Sequence, residues 1–120
     1  MPSSAAPVVL VLENDVLLRL ATARNLRDAG FEVIEAANPA EAIRILDHIV
    51  VDVLFSDVDM PGNLDGLALA QWVHRTRSDT RIILTSAATM TPGDVKEYVS
   101  FLPKPYAKKD VERLVRSVLP

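Results

Sequence analysis

The chain has 120 residues, which fits one domain that can bury its own core without a disulfide or a structural metal. It has no cysteine, so thiolate metal sites and cysteine nucleophiles are excluded. A formal net charge of −3 and the lack of a basic run argue against binding to nucleic acid. Neither a secretion signal nor a bilayer-spanning apolar run of roughly 20 residues is present, so we expect a cytoplasmic domain that does not bind membranes.

Strand and helix patterns alternate along the chain after a loose tail predicted at residues 1–6. Short apolar or alternating runs predict five strands, at Val8–Leu12 and at residues 31–35, 51–55, 82–84 and 98–102. Apolar residues at the helical period predict helices over 15–29, from Asn38 or Pro39, over 64–77 and over 108–119. A segment at 89–97 contains Pro92 and Gly93 and can hold only a short or degenerate fourth helix. This alternation predicts an α/β fold with a five-stranded, doubly wound parallel sheet.

Apolar spacing also predicts which residues of each helix face the core. The stripe predicted for the first helix consists of Leu17, Leu18, Ala21, Leu26 and Ala29. Leu69, Ala70 and Val73 form the stripe predicted for the helix over 64–77. Gly30 is expected to end the first helix, because glycine is the usual residue just after a helix.

Polar residues follow the predicted strands where each strand ends. Glu13-Asn14-Asp15 follow the first strand; Asp57 and Asp59 follow the third; Ser86 follows the fourth; and Lys104 follows the fifth. In a doubly wound sheet these ends meet at one edge. Acids there can hold Mg²⁺, a lysine and the metal can offset the charge of phosphoryl oxygens, and a hydroxyl can donate to one of them. The set therefore favours phosphoryl transfer to a carboxylate.

The run of residues 53–62, Val-Leu-Phe-Ser-Asp-Val-Asp-Met-Pro-Gly, resembles the phosphorylation-site strand and turn of response regulator receiver domains. The resemblance covers essentially the whole chain. It implies a flavodoxin-like strand order 2-1-3-4-5, a stand-alone receiver domain over residues 1–120, and Asp57 as the residue that accepts the phosphoryl group.

The resemblance also implies a Mg²⁺ site. Its ligands would be Asp57, Glu13 through water, Asn14, and Asp59 through its backbone carbonyl. Asn14 departs from the family, which carries a second acid at this position, and an amide brings no charge to the metal. Asn14 and Asp15 could also be plain helix caps.

The remaining implied roles concern the switch between two conformations. Ser86, followed by the small Ala87, matches the family's hydroxyl and is preferred over Thr85. Lys104 with Pro105 matches the family's lysine and the proline after a cis peptide bond. Phe101 lies where the family carries an aromatic residue that rotates inward on phosphorylation, although plain core packing explains it equally well.

These expectations describe a phosphoacceptor signalling domain of bacterial two-component systems, not an enzyme. Its partners would be a histidine kinase or a phosphotransfer protein and an effector protein, and a homodimer is left open. The main alternative is a degenerate receiver that docks without phosphorylation, because Asn14 weakens the metal site. A phosphatase of the haloacid dehalogenase type would need a catalytic side chain at Asp59. A flavin carrier is discounted because acids at residues 13–15 would repel a phosphate.

Overall fold

A computed structural model describes residues 6–60, 65–88 and 96–120 of the chain. Five parallel strands form one sheet in the order β2-β1-β3-β4-β5, as predicted. The strands are β1 Val8–Leu12, β2 Glu32–Ala36, β3 Val53–Asp57, β4 Arg81–Ser86 and β5 Val99–Pro103. The helices in the described residues are α1 Val16–Asp28, α2 Pro39–His48, α3 Gly66–Thr76 and α4 Lys108–Val118.

Two hydrophobic cores cover the two faces of the sheet, because successive side chains of a strand point to opposite sides. In β1, Leu10 and Leu12 join the core on the side of α2 and α3, whereas Val9 and Val11 join the core on the side of α1 and α4. Almost all of β1, β3 and β4 is buried for this reason. The apolar runs in the sequence therefore reflect helices on both faces of the sheet.

Side-chain caps fix where three of the helices begin. Asp15 accepts a hydrogen bond from the Leu18 amide at 3.1 Å, Asn38 from the Glu41 amide at 2.9 Å, and Asp65 from the Ala68 amide at 2.8 Å. The alternative role of Asp15 as a helix cap is therefore present in the structure. At the end of α1, Gly30 has a φ of +99°, which explains why glycine follows this helix.

The buried face of α1 differs from the predicted one. Leu17, expected in the core, is 79% exposed, and the buried residues are Thr22, Ala23 and Leu26. Thr22 is tolerated in the core because its hydroxyl shares a 3.0 Å hydrogen bond with the hydroxyl of Tyr106. Of the predicted stripe, Leu26 is confirmed as buried and Ala29 packs against the same core, whereas Leu17 and Ala21 are exposed. Apolar spacing does not anticipate a hydrogen-bonded polar residue such as Thr22 at a core position.

Strand ends also shift relative to the predictions. β3 begins two residues later than predicted and continues through the polar pair Ser56 and Asp57. Its backbone pairs with β4 up to Asp57, opposite Thr85, so the strand does not stop where the apolar run stops. Predictions for the tail before residue 6 and for most of the short helix over 89–97 fall outside the described residues.

Candidate functional site

Parallel pairing brings together the carboxyl ends of β1, β3, β4 and β5. Glu13 follows β1, Asp57 and Ser86 are the last residues of β3 and β4, and Lys104 follows β5. Asp59 lies two residues beyond β3. We call these five residues the carboxyl-end cluster; the sequence analysis singled out every one of them as a candidate site residue.

Asp57 is a buried carboxylate held on two sides. Asp57 is only 6% exposed. Oδ1 accepts a 3.2 Å hydrogen bond from the amide of Asp59, and Oδ2 accepts one of 3.2 Å from Nζ of Lys104. Burial, followed by the negative charge of Glu13, raises the pKa of Asp57 above its ordinary value, although Lys104 opposes both effects. The carboxylate is therefore oriented, and its negative charge is only partly compensated.

Lys104 joins the two acids of the cluster. Nζ lies 2.8 Å from Oε1 of Glu13 and 3.2 Å from Oδ2 of Asp57. Burial alone would lower the pKa of Lys104, but the hydrogen bonds and charges of Glu13 and Asp57 outweigh burial and raise that pKa. The peptide bond between Lys104 and Pro105 is cis, as the resemblance implies. The contact between Lys104 and Glu13 was not anticipated from the sequence, which suggested Glu13 only as an indirect metal ligand.

Glu13 is 4% exposed, and both its carboxylate and its backbone carbonyl accept hydrogen bonds. Oε2 accepts a hydrogen bond from the amide of Asp15 at 2.9 Å, and the backbone carbonyl accepts one from Arg19 at 2.9 Å. Asn14, between the two acids, is exposed. Asp15 uses one carboxylate oxygen, Oδ1, to cap α1.

The hydroxyl of Ser86 is hydrogen-bonded to Asp59. Its hydroxyl donates to Oδ2 of Asp59 at 2.6 Å and accepts from the amide of Ala88 at 3.0 Å. The resemblance to receiver domains implied a backbone role for Asp59, and this side-chain contact was not anticipated. Thr85 is just as buried, and its Oγ1 has no hydrogen-bond partner in the described part of the chain.

Phe101 and Tyr106 pack on opposite faces of the sheet. Phe101 is partly buried and contacts the core on the side of α2 and α3, where Leu84 is its register partner on β4. Tyr106 meets the ring of Phe55 edge-on with centroids 5.7 Å apart. The pKa of Tyr106 is raised, mainly because its hydroxyl is buried. Trp72, His74 and His48 lie on helices outside the cluster.

The donors at this edge suit Mg²⁺ in kind. Asp57 and Glu13 supply carboxylates, Asn14 an amide oxygen and Asp59 a backbone carbonyl, and Mg²⁺ takes one or two carboxylates while keeping several waters. A site with three acids and one lysine also carries negative charge that a cation would offset. Within residues 6–60, 65–88 and 96–120, however, no group of three or more Asp, Glu or His side chains is arranged to hold a metal.

The fold and the cluster place the molecule among α/β signalling domains with a 2-1-3-4-5 sheet. The chain belongs to the response regulator receiver domain family, whose model matches residues 9–116. Receiver domains are signalling domains of two-component systems and generally not enzymes. In the part of the chain that the model describes, no helix is long and apolar enough to cross a membrane.

Similar proteins agree with this assignment. The chain is 33% identical to the sensor kinase CckA of Brucella abortus, in a match that covers 97% of the chain but only 13% of CckA. It is 27% identical to the chemotaxis protein CheY4 of Vibrio cholerae, with a TM-score of 0.87 over 96% of the chain and 100% of CheY4. TrrA of Thermotoga maritima, solved with Mg²⁺ and BeF, is 23% identical and shares the fold, with a TM-score of 0.85 over 94% of the chain and 99% of TrrA.

Proposed function

We propose that Asp57 accepts a phosphoryl group from a phosphohistidine on a histidine kinase or a phosphotransfer protein. The observation that carries this proposal is a buried, oriented carboxylate 3.2 Å from a lysine at the carboxyl edge of the sheet. CckA, one of the similar proteins, is a sensor kinase, which supports a histidine kinase as the donor.

The chemical step exchanges one phosphorus bond for another. A carboxylate oxygen of Asp57 attacks the phosphorus, an oxygen–phosphorus bond forms, and the bond from phosphorus to the donor imidazole breaks. The released imidazole nitrogen keeps the electron pair of that bond. Lys104, already beside the carboxylate, pairs with the incoming phosphoryl oxygens and stabilises the charge they carry.

Mg²⁺ fits the donors of this site. Asp57, Asn14 and the carbonyl of Asp59 would hold it directly and Glu13 through water; when bound, it offsets the negative charge of the phosphoryl oxygens. TrrA, which shares the fold, was crystallised with Mg²⁺ and BeF.

Phosphorylation then shifts the balance between two packings of the domain. Ser86 moves to donate its hydrogen to a phosphoryl oxygen, and Phe101 turns into the space that Ser86 leaves. The phosphoryl group drives this change only because it interacts differently with the two packings. Output passes through protein contacts on α4, β5 and Tyr106.

Intact-protein mass after incubation with a small phosphodonor, at increasing Mg²⁺, tests the acceptor. We expect one phosphoryl adduct in the wild type and none in Asp57→Asn, because an amide cannot act as the acceptor. As a control, Asp28→Asn replaces an exposed residue in the last turn of α1 and should take up as much phosphoryl group as the wild type. Labelling of Asp57→Asn at the wild-type level would refute the assignment of Asp57.

One observation favours a second function, namely a receiver that docks without phosphorylation. Asn14 leaves the edge without the acid that the family carries next to Glu13, and Lys104 already partly neutralises Glu13 and Asp57. If no adduct forms at any Mg²⁺ concentration, this docking function replaces the first. Mg²⁺-dependent labelling rules it out as the main activity.

A further inference from the structure

We propose that Asp59 is a positioning residue that controls how readily Ser86 reaches the phosphoryl group. In the unphosphorylated domain the carboxylate of Asp59 holds the Ser86 hydroxyl away from the acceptor. This inference rests on the proposed function, because it describes the regulation of the same site. It assigns a role to the Asp59 side chain, for which the sequence suggested only a backbone role.

Hydrogen bonds join Asp59 to both ends of the switch. Its amide donates to Oδ1 of Asp57 at 3.2 Å, and its Oδ2 accepts from Oγ of Ser86 at 2.6 Å. Ser86 is also tied to the next segment, since its Oγ accepts from the amide of Ala88 at 3.0 Å. Asp59 therefore links the carboxylate of Asp57 to the hydroxyl of Ser86.

The serine hydroxyl has a single hydrogen to donate. While that hydrogen points to Asp59, it is not available to a phosphoryl oxygen on Asp57, so the two acceptors compete. Both offer a charged oxygen, and hydrogen bonds to charged oxygens are stronger than those to neutral ones. Asp59 thus lowers the fraction of molecules in which Ser86 is free to turn toward Asp57.

The environments of the two residues make this contact releasable. Ser86 is buried, so its hydroxyl needs a protein or phosphoryl acceptor in either position. Asp59 is exposed, so water can solvate its carboxylate once the serine has left. When Ser86 leaves Asp59, no buried charge is therefore left without a partner. The contact makes the switch less favourable without blocking it.

Equilibrium binding of beryllofluoride with Mg²⁺, a noncovalent phosphoryl mimic, tests the competition. Calorimetric titration should show Asp59→Ala binding about three- to tenfold more tightly than the wild type, because Ser86 no longer has a competing acceptor. Asp59→Asn, which keeps an acceptor oxygen but not the charge, should fall between the two. Asp28→Ala, an exposed aspartate in the last turn of α1, should bind like the wild type.

A double-mutant cycle shows whether Asp59 acts through Ser86. In a Ser86→Ala background, Asp59→Ala should leave the affinity for beryllofluoride unchanged. The same tightening with and without the serine would mean that Asp59 acts by direct charge repulsion and would overturn the proposal. No tightening in the single variant would also overturn it.

The amide signal of Ala88 reports the serine without metal or phosphate. In Mg²⁺-free protein, Asp59→Ala should shift the nitrogen–proton resonance of Ala88, because the hydroxyl that this amide contacts reorients. If the Ala88 signal does not change while phosphorylation is normal, the role of Asp59 is refuted and the proposed function is not. If the wild type takes neither a phosphoryl group nor beryllofluoride, the proposed function fails, and the regulatory role fails with it.

Discussion

The two ends of the β-sheet use charged residues in opposite ways. At the amino end, Asp52 accepts from the Val8 amide at 2.7 Å, and Arg77 contacts Asp47 at 2.7 Å. Thr80 there donates to the carbonyl of Val51 at 2.8 Å. Each of these groups meets a partner of opposite charge or a complementary backbone group. We call Asp47, Asp52, Arg77 and Thr80 the amino-end cluster.

The carboxyl-end cluster places like charges together instead. Two buried acids, Glu13 and Asp57, share the one ammonium of Lys104, and burial with the neighbouring charge raises the pKa of Asp57. Crowding like charges in this way raises the free energy of the folded state, and perturbed pKa values of this kind are often found at functional sites. The comparison teaches that the amino end pairs its charges and stabilises the fold, whereas the carboxyl end leaves its charge only partly compensated.

Replacing the shared lysine should have the largest effect. We expect Lys104→Met to lower the free energy of unfolding by about 3 kcal/mol near neutral pH, because it leaves two buried carboxylates without their cation. Urea unfolding measures this loss, with the exposed Lys109→Met as the matched control. A loss no greater than that of the control would mean that Lys104 does not hold the two acids together.

The loss in Lys104→Met should also depend on pH. The ordinary pKa of an aspartate is 3.8, and in the folded protein that of Asp57 is raised. An acid with a raised pKa favours the folded state below its unfolded pKa, and this contribution disappears as pH rises through the folded pKa. The deficit of Lys104→Met relative to the wild type should therefore be smaller at about pH 5 than at about pH 7.5. A deficit that is independent of pH would contradict this explanation.

Breaking the amino end should reduce stability without changing the chemistry. Arg77→Ala removes the ion pair with Asp47, a 3.2 Å hydrogen bond to the carbonyl of Leu46, and the stacking of the guanidinium 5.1 Å above the ring of Trp72. We expect a loss of about 2 kcal/mol in unfolding free energy. Phosphoryl uptake per folded molecule should equal that of the wild type and of the exposed control Arg75→Ala; a changed uptake would show that the two ends are coupled.

Adding an acid at position 14 should increase the repulsion between like charges at the carboxyl end of the sheet. Its effect on stability should be the smallest of those predicted here. Asn14→Asp places a further carboxylate at the carboxyl end, so the metal-free protein should lose about 1 kcal/mol through repulsion. Mg²⁺ should bind about tenfold more tightly, because the ion gains a charged ligand. Calorimetric titration with Mg²⁺ measures the affinity. If the affinity does not change, Asn14 lies outside the metal ligands.

Much of the fold could be predicted because the sheet is buried on both sides. Continuous apolar runs located β1 and β4, and caps such as Asn38 located helix starts, since both signals are local. The end of β3 could not be located in this way, because its last two residues are polar and only backbone pairing with β4 extends the strand. Thr22 was missed as a core residue because its partner, Tyr106, lies 84 positions away.

The members of the site could also be predicted, but their partners could not. Strand ends meet at one edge in this fold, so sequence order alone assembled Asp57, Ser86 and Lys104. Which hydrogen bonds form there depends on the path of the turn after β3 and on side-chain length. The reach of Glu13 to Lys104 and the capture of Ser86 by Asp59 are consequences of that geometry, and no local pattern encodes them.

The pairing of β1 has a consequence for the order of folding. β1 lies between β2 and β3, and its register partners on β3 are 44 positions further along the chain. Contacts between distant positions form slowly, because a long loop must close before they contribute. The contact from Lys104 to Glu13 spans 91 positions, the longest closure that the site requires. During synthesis the site is therefore completed after the centre of the sheet, and a partly made chain contains Asp57 before the lysine that contacts it.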